Sequence, residues 1–254
     1  MNLSNDLELA HHLVDVASDI SLKHFEGDLV VHAKPDGTPV SQADLEVERE
    51  ILRILSIERP GDAILAEESG SHFKSSRRWI IDPIDGTIPF IQGGQSWGTH
   101  VALECDGELV IGIMSRPTQG RKWWAGKGLG AFSNPGWPIS SESRHLSLPD
   151  VSSVENWRVG AFLMPESKAS SILSNRFNLV DSKLSLVGDL LEGRVDVVID
   201  EGGSVWDRAP AALLVQEAGG CVEDLRGGQR LDLPWLVYSK HGVSGVLTKL
   251  LAQD

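Results

Sequence analysis

The sequence predicts a layered α/β protein, and three observations carry that prediction. In the second half, short apolar runs of strand length alternate with segments of helical periodicity. In the first half, several apolar runs follow one another, and Asp106-Gly107 between two of them is a hairpin signal. The chain has 254 residues, 41% hydrophobic and 23% charged, which suits one large α/β domain or two tightly packed smaller ones.

Taken in order, Leu9, Leu13, Val16, Ala17 and Ile20 share one helical face, and this first helix is expected to end near Phe25-Glu26-Gly27. A strand follows over 29–33, then the turn Lys34-Pro35-Asp36-Gly37-Thr38-Pro39. Ser41 and Asp44 form a capping-box pattern before Leu45, Ile51, Leu52 and Leu55, so a second helix starts there and stops at Pro60-Gly61. Strands are predicted at 64–66, 79–81, 99–103, 109–114 and 122–125. The Ser-, Pro- and Gly-rich stretch 133–143 reads as a connection between an N-terminal half, 1–145, and a C-terminal half, 146–254. Beyond it come a strand at 158–162, a helix at 165–174, a strand at 177–180, a helix at 184–191 and a strand at 195–200. A helix at 206–218 stops at Gly219-Gly220; a strand at 235–239 and a helix at 243–251 complete the pattern.

The net charge is −13, from 36 acidic and 23 basic residues, which argues against nucleic acid as a partner because a phosphate backbone needs Lys and Arg to neutralise it. Cys105 and Cys221 have no zinc-type spacing and are expected to be buried free thiols. The start of the chain shows no signal-peptide pattern, and no run approaches the roughly 20 apolar residues needed to span a bilayer. A cytoplasmic protein without a membrane partner is the expectation.

The most informative stretch is Trp79-Ile80-Ile81-Asp82-Pro83-Ile84-Asp85-Gly86-Thr87. An apolar strand runs into Asp82, and Pro83, which cannot extend a ladder, is expected to turn the chain. Asp85 follows three residues after Asp82, so the turn can aim two carboxylates, or a carboxylate and a carbonyl, at one point. Gly86 and Thr87 then offer backbone N–H groups of the kind that attract anions. Glu67-Glu68 closes another apolar run, and Trp206-Asp207 opens a helix far downstream. Magnesium takes oxygen ligands and keeps several waters, so a few convergent carboxylates suffice. Carboxylates about 4 Å apart repel by roughly 4 kcal/mol per pair at an effective dielectric near 20, so such a cluster calls for cations. Each residue also has a plainer reading: Asp82 and Asp207 as caps or turn residues, Asp44 as the acidic member of its capping box, Glu68 as a solvated charge. Spacing alone leaves both open.

These motifs resemble those of the inositol monophosphatase-like phosphatases: Glu67-Glu68-Ser69, the Trp79–Thr87 string, and Trp206-Asp207 followed by Ala209 and Glu217-Ala218-Gly219-Gly220, in that order. The resemblance implies an αβαβα sandwich, a homodimer, and two or three Mg²⁺ ions between the two halves. Carried over residue by residue, Glu67, Asp82, the Ile84 carbonyl, Asp85 and Asp207 match metal positions. Asp44 matches a residue that orients water or helps a third metal, and Lys34 a lysine near that site. Gly86 and Thr87 match the phosphate-binding turn, with the Thr87 hydroxyl orienting the attacking water. Asp85 and Asp207 also border the substrate, Asp200 matches an acidic position touching its alcohol portion, and Lys183 lies near the same contacts. The chain departs from the family at Ile88-Pro89-Phe90, where Pro89 replaces an asparagine.

The implied activity is magnesium-dependent hydrolysis of a small phosphorylated metabolite, with Glu67, Thr87 and Asp44 serving catalysis. Within the family, Lys34–Ser41 and Arg121-Lys122-Trp123-Trp124-Ala125 look most like bacterial histidinol-phosphate phosphatases. A rim of Asp200, Glu201 and Asp189 suits a cationic aminoalcohol, against the plainer reading of ordinary surface acids. Inositol phosphate and adenosine bisphosphate are the alternative substrates, and a non-catalytic metal-binding scaffold is the alternative of another class. Trp123 and Trp124 point to opposite faces of a strand, so at most one lines a pocket, and packing is the expected role for both; Trp97 is a further pocket candidate.

Overall fold

The computed structural model describes residues 2–135, 143–150, 157–164, 167, 169–181, 185–241 and 243. Helix α1 (Leu3–Phe25) is capped by Asn2, whose side chain accepts the Asn5 N–H, and it buries Leu9, Leu13, Val14 and Ala17 along one face. The hairpin β1 (Val31–Ala33) and β2 (Pro39–Ser41) leads into α2 (Gln42–Glu58). That helix starts on the expected capping box: Ser41 Oγ accepts the Asp44 N–H, and the Asp44 carboxylate accepts the Ser41 N–H.

The main sheet contains β3 (Ala63–Ala66), β4 (Gly70–His72), β5 (Arg77–Asp85), β6 (Gly98–Cys105), β7 (Glu108–Arg116), β8 (Arg121–Gly126), β9 (Gly130–Pro135) and β10 (Arg144–Leu146). Its order is β10-β9-β8-β7-β6-β5-β3-β4, antiparallel except where β3 runs parallel to β5. The short helix α3 (Thr87–Ile91) follows β5. A second, five-stranded sheet has the order β12-β11-β13-β15-β14. It is built from β11 (Arg158–Phe162), β12 (Asn178–Leu179), β13 (Val197–Glu201), β14 (Cys221–Asp224) and β15 (Trp235–Ser239). The helices of this half are α4 (Ala169–Arg176), α5 (Leu186–Leu191) and α6 (Val205–Glu217).

The layers follow from which faces are apolar. Helices α1 and α2 cover one face of the main sheet through Leu13, Val47, Ile51, Trp79, Val101 and Ile113. Helices α5 and α6 fill the space between the sheets: Leu190, Leu214 and Val215 join Met114 and Trp123 of one sheet to Val198 and Tyr238 of the other. The outer face of the small sheet, Val159, Val197, Ile199 and Val237, packs with Leu173 of α4. The result is the αβαβα sandwich. Its central core crosses position 145, so the two halves share one interior. Helix α6 comes unusually close to β7, because a Cβ on Gly112 would lie 2.7 Å from the Pro210 carbonyl oxygen.

Several expectations change. The strand does not end at Asp82: β5 continues through Pro83 to Asp85, with its register against β6 shifting between Asp82 and Asp85. A bulge is where a ladder tolerates a residue without an N–H. Of the connection expected at 133–143, residues 133–135 are the end of β9, and 136–142 lie outside the described residues. Cys105 and Cys221 are half-buried rather than buried, beside Arg77 and His241 respectively. Trp123 is core, Trp124 packs edge-on to His11, and Trp97 sits against Phe25 and Phe90, so none of them lines the site described next. Apart from Val243, which is buried, the helix expected at 243–251 lies outside the described residues. Among the described residues no helix is long and apolar enough to cross a membrane.

Candidate active site

Four acidic side chains from three places in the fold meet: Glu67 just after β3, Asp82 and Asp85 in β5, and Asp207 at the start of α6. Asp82 lies at the bulge of β5, 1% exposed, with its Oδ1 buried and without a hydrogen-bond partner. Asp207 is the third residue of α6, where its Oδ2 accepts the Ser204 N–H at 2.6 Å, and its carboxyl group is within hydrogen-bonding reach of Asp82. Burial, then the charges of Glu67, Asp207 and Asp85, push the Asp82 carboxyl well above the usual range. Burial, then the charge of Asp85, pushes Asp207 up to about 7. Two carboxyl groups in contact need a proton or a cation between them.

Asp85 behaves differently. Burial raises its pKa, but the neighbouring His100 and Arg116 outweigh this and hold it below the usual range. Arg116 Nη2 lies 2.6 Å and His100 Nε2 3.4 Å from Asp85 Oδ2. His100 faces Asp82 directly across β5 and β6, and burial pulls its pKa down to about 4, against the opposing pull of Asp85. Ligand atoms of Asp82, Asp85 and His100 lie within 4.8 Å of one another.

Glu67 follows β3. Its Oε1 accepts from Lys34 Nζ at 2.8 Å, and the same ammonium lies 2.7 Å from Glu68 Oε1. Burial lowers the Lys34 pKa, but the hydrogen bonds to Glu67 and Glu68 raise it further, so the lysine stays charged. Burial pushes Glu68 up to about 7, so it is not a solvated charge. The turn that carries both glutamates is tied to α2 by Glu48, 2% exposed, which accepts the N–H groups of Glu68 and Ser69, both at 2.9 Å.

Asp44 is both a cap and part of the site. Its Oδ2 holds the capping box, while its Oδ1 lies 3.2 Å from Thr87 Oγ1. The Thr87 hydroxyl is also 3.2 Å from the Ile84 carbonyl. Burial is the main cause raising the Asp44 pKa. Gly86 has φ 86°, and a Cβ there would lie 2.5 Å from the Ser96 carbonyl oxygen, so only glycine permits this turn. Pro89 costs α3 nothing at its N-terminus: it is the third residue, where an N–H has no intrahelical acceptor.

The expected rim is altered. Arg208, 1% exposed, donates to Asp200 Oδ2 at 2.6 Å and to the carbonyls of Leu231 and Pro234, so the Asp200 charge is already balanced. Glu201 accepts the Met164 N–H. Asp189 is buried and paired with Arg194, away from any rim. Lys183 lies outside the described residues. Sequence reading missed Glu48, His100, Arg116 and Arg208. Glu48 was legible as the residue one turn after Asp44 on the same face. Arg208 adjoins Asp207, but nothing in the sequence pairs it with Asp200. His100 and Arg116 emerge only from strand register.

The donor set fits divalent cations: hard carboxylate oxygens, an unpartnered buried oxygen on Asp82, and mutual repulsion that a cation relieves. An acidic cluster that could hold a divalent metal, beside the Gly86 turn, is the kind of site a metal-dependent phosphatase uses. Comparison with known proteins gives this class a family. The model of the inositol monophosphatase family matches residues 2–253. A Streptomyces griseus protein named glucose-1-phosphate thymidylyltransferase is 55% identical, covering 97% of this chain and 96% of its own. The histidinol-phosphatase of Mycobacterium tuberculosis is 36% identical, covering 98% and 95%. Among solved structures, an inositol monophosphatase from Zymomonas mobilis is 26% identical with a TM-score of 0.82, covering 99% of each chain. The chain belongs to the inositol monophosphatase family, whose members are metal-dependent phosphoric monoester hydrolases, typically using Mg²⁺.

Proposed function

We propose that this protein hydrolyses histidinol phosphate to histidinol and inorganic phosphate. The observation that carries this reading is the 36% identity to the Mycobacterium tuberculosis histidinol-phosphatase across nearly the whole chain, repeated at 36% in that of Streptomyces coelicolor. In this reading Glu67, Asp82, Asp85, the Ile84 carbonyl and Asp207 hold two or three Mg²⁺ ions. Bound there, the cations supply Lewis acidity that offsets phosphoryl charge and makes water nucleophilic at neutral pH. The N–H groups of Gly86 and Thr87 seat the phosphate oxygens. Thr87, held between Asp44 and the Ile84 carbonyl, keeps its hydroxyl lone pairs available to a water proton, and Glu67 aligns that water against phosphorus. A water oxygen–phosphorus bond forms as the ester P–O bond breaks, and the alcohol departs with a proton. Positioning and electrostatics do most of this work. Asp200, oriented by Arg208, borders the alcohol portion beside Glu201, with Lys183 close by. Lys34 keeps Glu67 and Glu68 in place. The active species is a homodimer.

A second reading has its own support in the name of the 55% identical relative, which points to glucose 1-phosphate as a ligand. One experiment separates them. Phosphate release is measured with Mg²⁺, with and without EDTA, from histidinol phosphate, inositol 1-phosphate, glucose 1-phosphate, fructose bisphosphate and adenosine bisphosphate. A parallel arm with dTTP and glucose 1-phosphate reports pyrophosphate release. The proposal expects kcat/KM for histidinol phosphate to exceed the others at least about tenfold, a difference of about 1.4 kcal/mol in transition-state binding. Preference for a sugar phosphate, or pyrophosphate formation, overturns it. No release from any compound with Mg²⁺ favours the scaffold reading.

A further inference from the structure

Arg116 ends β7, is 3% exposed, and lies in the second layer beneath the carboxylate cluster. Its Nη2 lies 2.6 Å from Asp85 Oδ2. Its Nη1 donates to the Ser115 carbonyl at 2.8 Å and lies 3.3 Å from His100 Nε2. The room for this guanidinium comes from Gly98 on the adjacent strand, where a Cβ would lie 1.8 Å from the Ser115 carbonyl oxygen and 3.0 Å from Arg116 Nη1. The arginine is therefore locked on three sides: by its own strand's carbonyl, by an imidazole and by a carboxylate.

We infer that Arg116 is a positioning residue for the cation site, gripping Asp85 Oδ2 so that Oδ1 alone is presented to the ions. The inference rests on the reading of Asp85 as a cation ligand. A guanidinium suits the task because it is planar, permanently charged and held in a fixed fork, whereas an ammonium is a point charge on a flexible stem. Groups that hold ligands from behind fix their orientation, and losing one typically costs about 10–100-fold in metal affinity or activity. The His100 ring, 3.3 Å from Arg116 Nη1, contributes the wall against which the fork is aligned, and Gly98 keeps that space open.

The test measures Mn²⁺ binding to EDTA-stripped protein by electron paramagnetic resonance, alongside the Mg²⁺ dependence of phosphate release from an aryl phosphate. Arg116→Met is expected to weaken Mn²⁺ binding at least tenfold and to raise the half-saturating Mg²⁺ by a similar factor. At saturating Mg²⁺ its KM for the aryl phosphate stays within twofold of wild type, and Arg116→Lys falls between the two. A merely structural loss moves KM and melting temperature in EDTA as well. Should Arg116→Met not fold, Arg116→Lys carries the test through its Mn²⁺ affinity. Wild-type Mn²⁺ affinity in the folded variant overturns the inference. Asp85→Asn is run in parallel. If it binds Mn²⁺ like wild type, the ligand reading of Asp85 fails. If it loses Mn²⁺ while the Arg116 variants keep it, only the role of Arg116 fails.

Discussion

Stripping cations makes the stability of this protein fall as pH rises, and the structure sets the size. In the cation-free fold Asp207 sits at about 7, against an ordinary 3.8. A folded-state pKa raised above the unfolded value means the native state holds the proton more tightly. Its stabilising contribution is complete below pH about 4 and is lost as pH climbs through 7. At about 1.4 kcal/mol per unit, the gap corresponds to about 4 kcal/mol. Bound Mg²⁺ takes over from the proton, so the stability difference between Mg²⁺ and EDTA widens from pH 5 to pH 8. For a chain of this size that amounts to on the order of 10 °C in melting temperature at the alkaline end. Thermal melts followed by circular dichroism at pH 5, 6, 7 and 8, in Mg²⁺ and in EDTA, measure it directly. Asp207→Asn should flatten the EDTA series. A Mg²⁺–EDTA difference independent of pH, or an Asn variant that keeps the slope, refutes the reasoning.

Three further outcomes are expected. Gly86→Ala meets the Ser96 carbonyl at 2.5 Å in a backbone conformation that disfavours a side chain, so turnover should fall about 100-fold, the cost of misplacing reacting groups by about 1 Å; near-normal kcat speaks against the phosphate turn. Asp196 accepts from Arg158 and from Lys240, which is 7% exposed; burial raises its pKa, but these hydrogen bonds more than offset that and hold it well below the usual range. Asp196→Ala should therefore cost about 3 kcal/mol in urea unfolding at pH 7, with the difference from wild type shrinking below pH about 4, where the unfolded carboxyl takes up a proton while the folded one is still ionised. Glu48→Ala releases the N–H groups of Glu68 and Ser69, and a rise in half-saturating Mg²⁺ without loss of substrate affinity is the result to look for in steady-state kinetics.

Most of the architecture was legible because hydrophobic periodicity and capping act locally. The strands at 158–162 and 235–239 match the expected bounds, and α2 opens on the expected box. Pro83 misled for a physical reason: a missing N–H ends a regular ladder but not a bulged one, and bulging depends on the neighbouring strand. The carboxylates were legible because each closes an apolar run or opens a helix. Their plainer reading was not false either, since Asp44 and Asp207 complete the capping boxes of their helices while Asp44 Oδ1 meets the Thr87 hydroxyl and the Asp207 carboxyl meets Asp82. Arg116 and His100 escaped notice because register, which no single strand encodes, decides that they meet Asp85. Asp200 looked like a free anion because its counter-charge lies one turn into the following helix, hidden by an intervening loop.

The absence of a side chain at Gly112 has a mechanical meaning. Main chain rests on main chain where α6 crosses β7, so the spacing between the helix that carries Asp207 and the main sheet is gauged by atoms that cannot rotate aside. A methyl group inserted there would behave as a shim, tilting the helix that delivers Asp207 while leaving every acidic residue in the sequence untouched. Attempts to rigidify this scaffold by replacing glycines should therefore spare position 112, where a stiffer chain would come with a misaligned one.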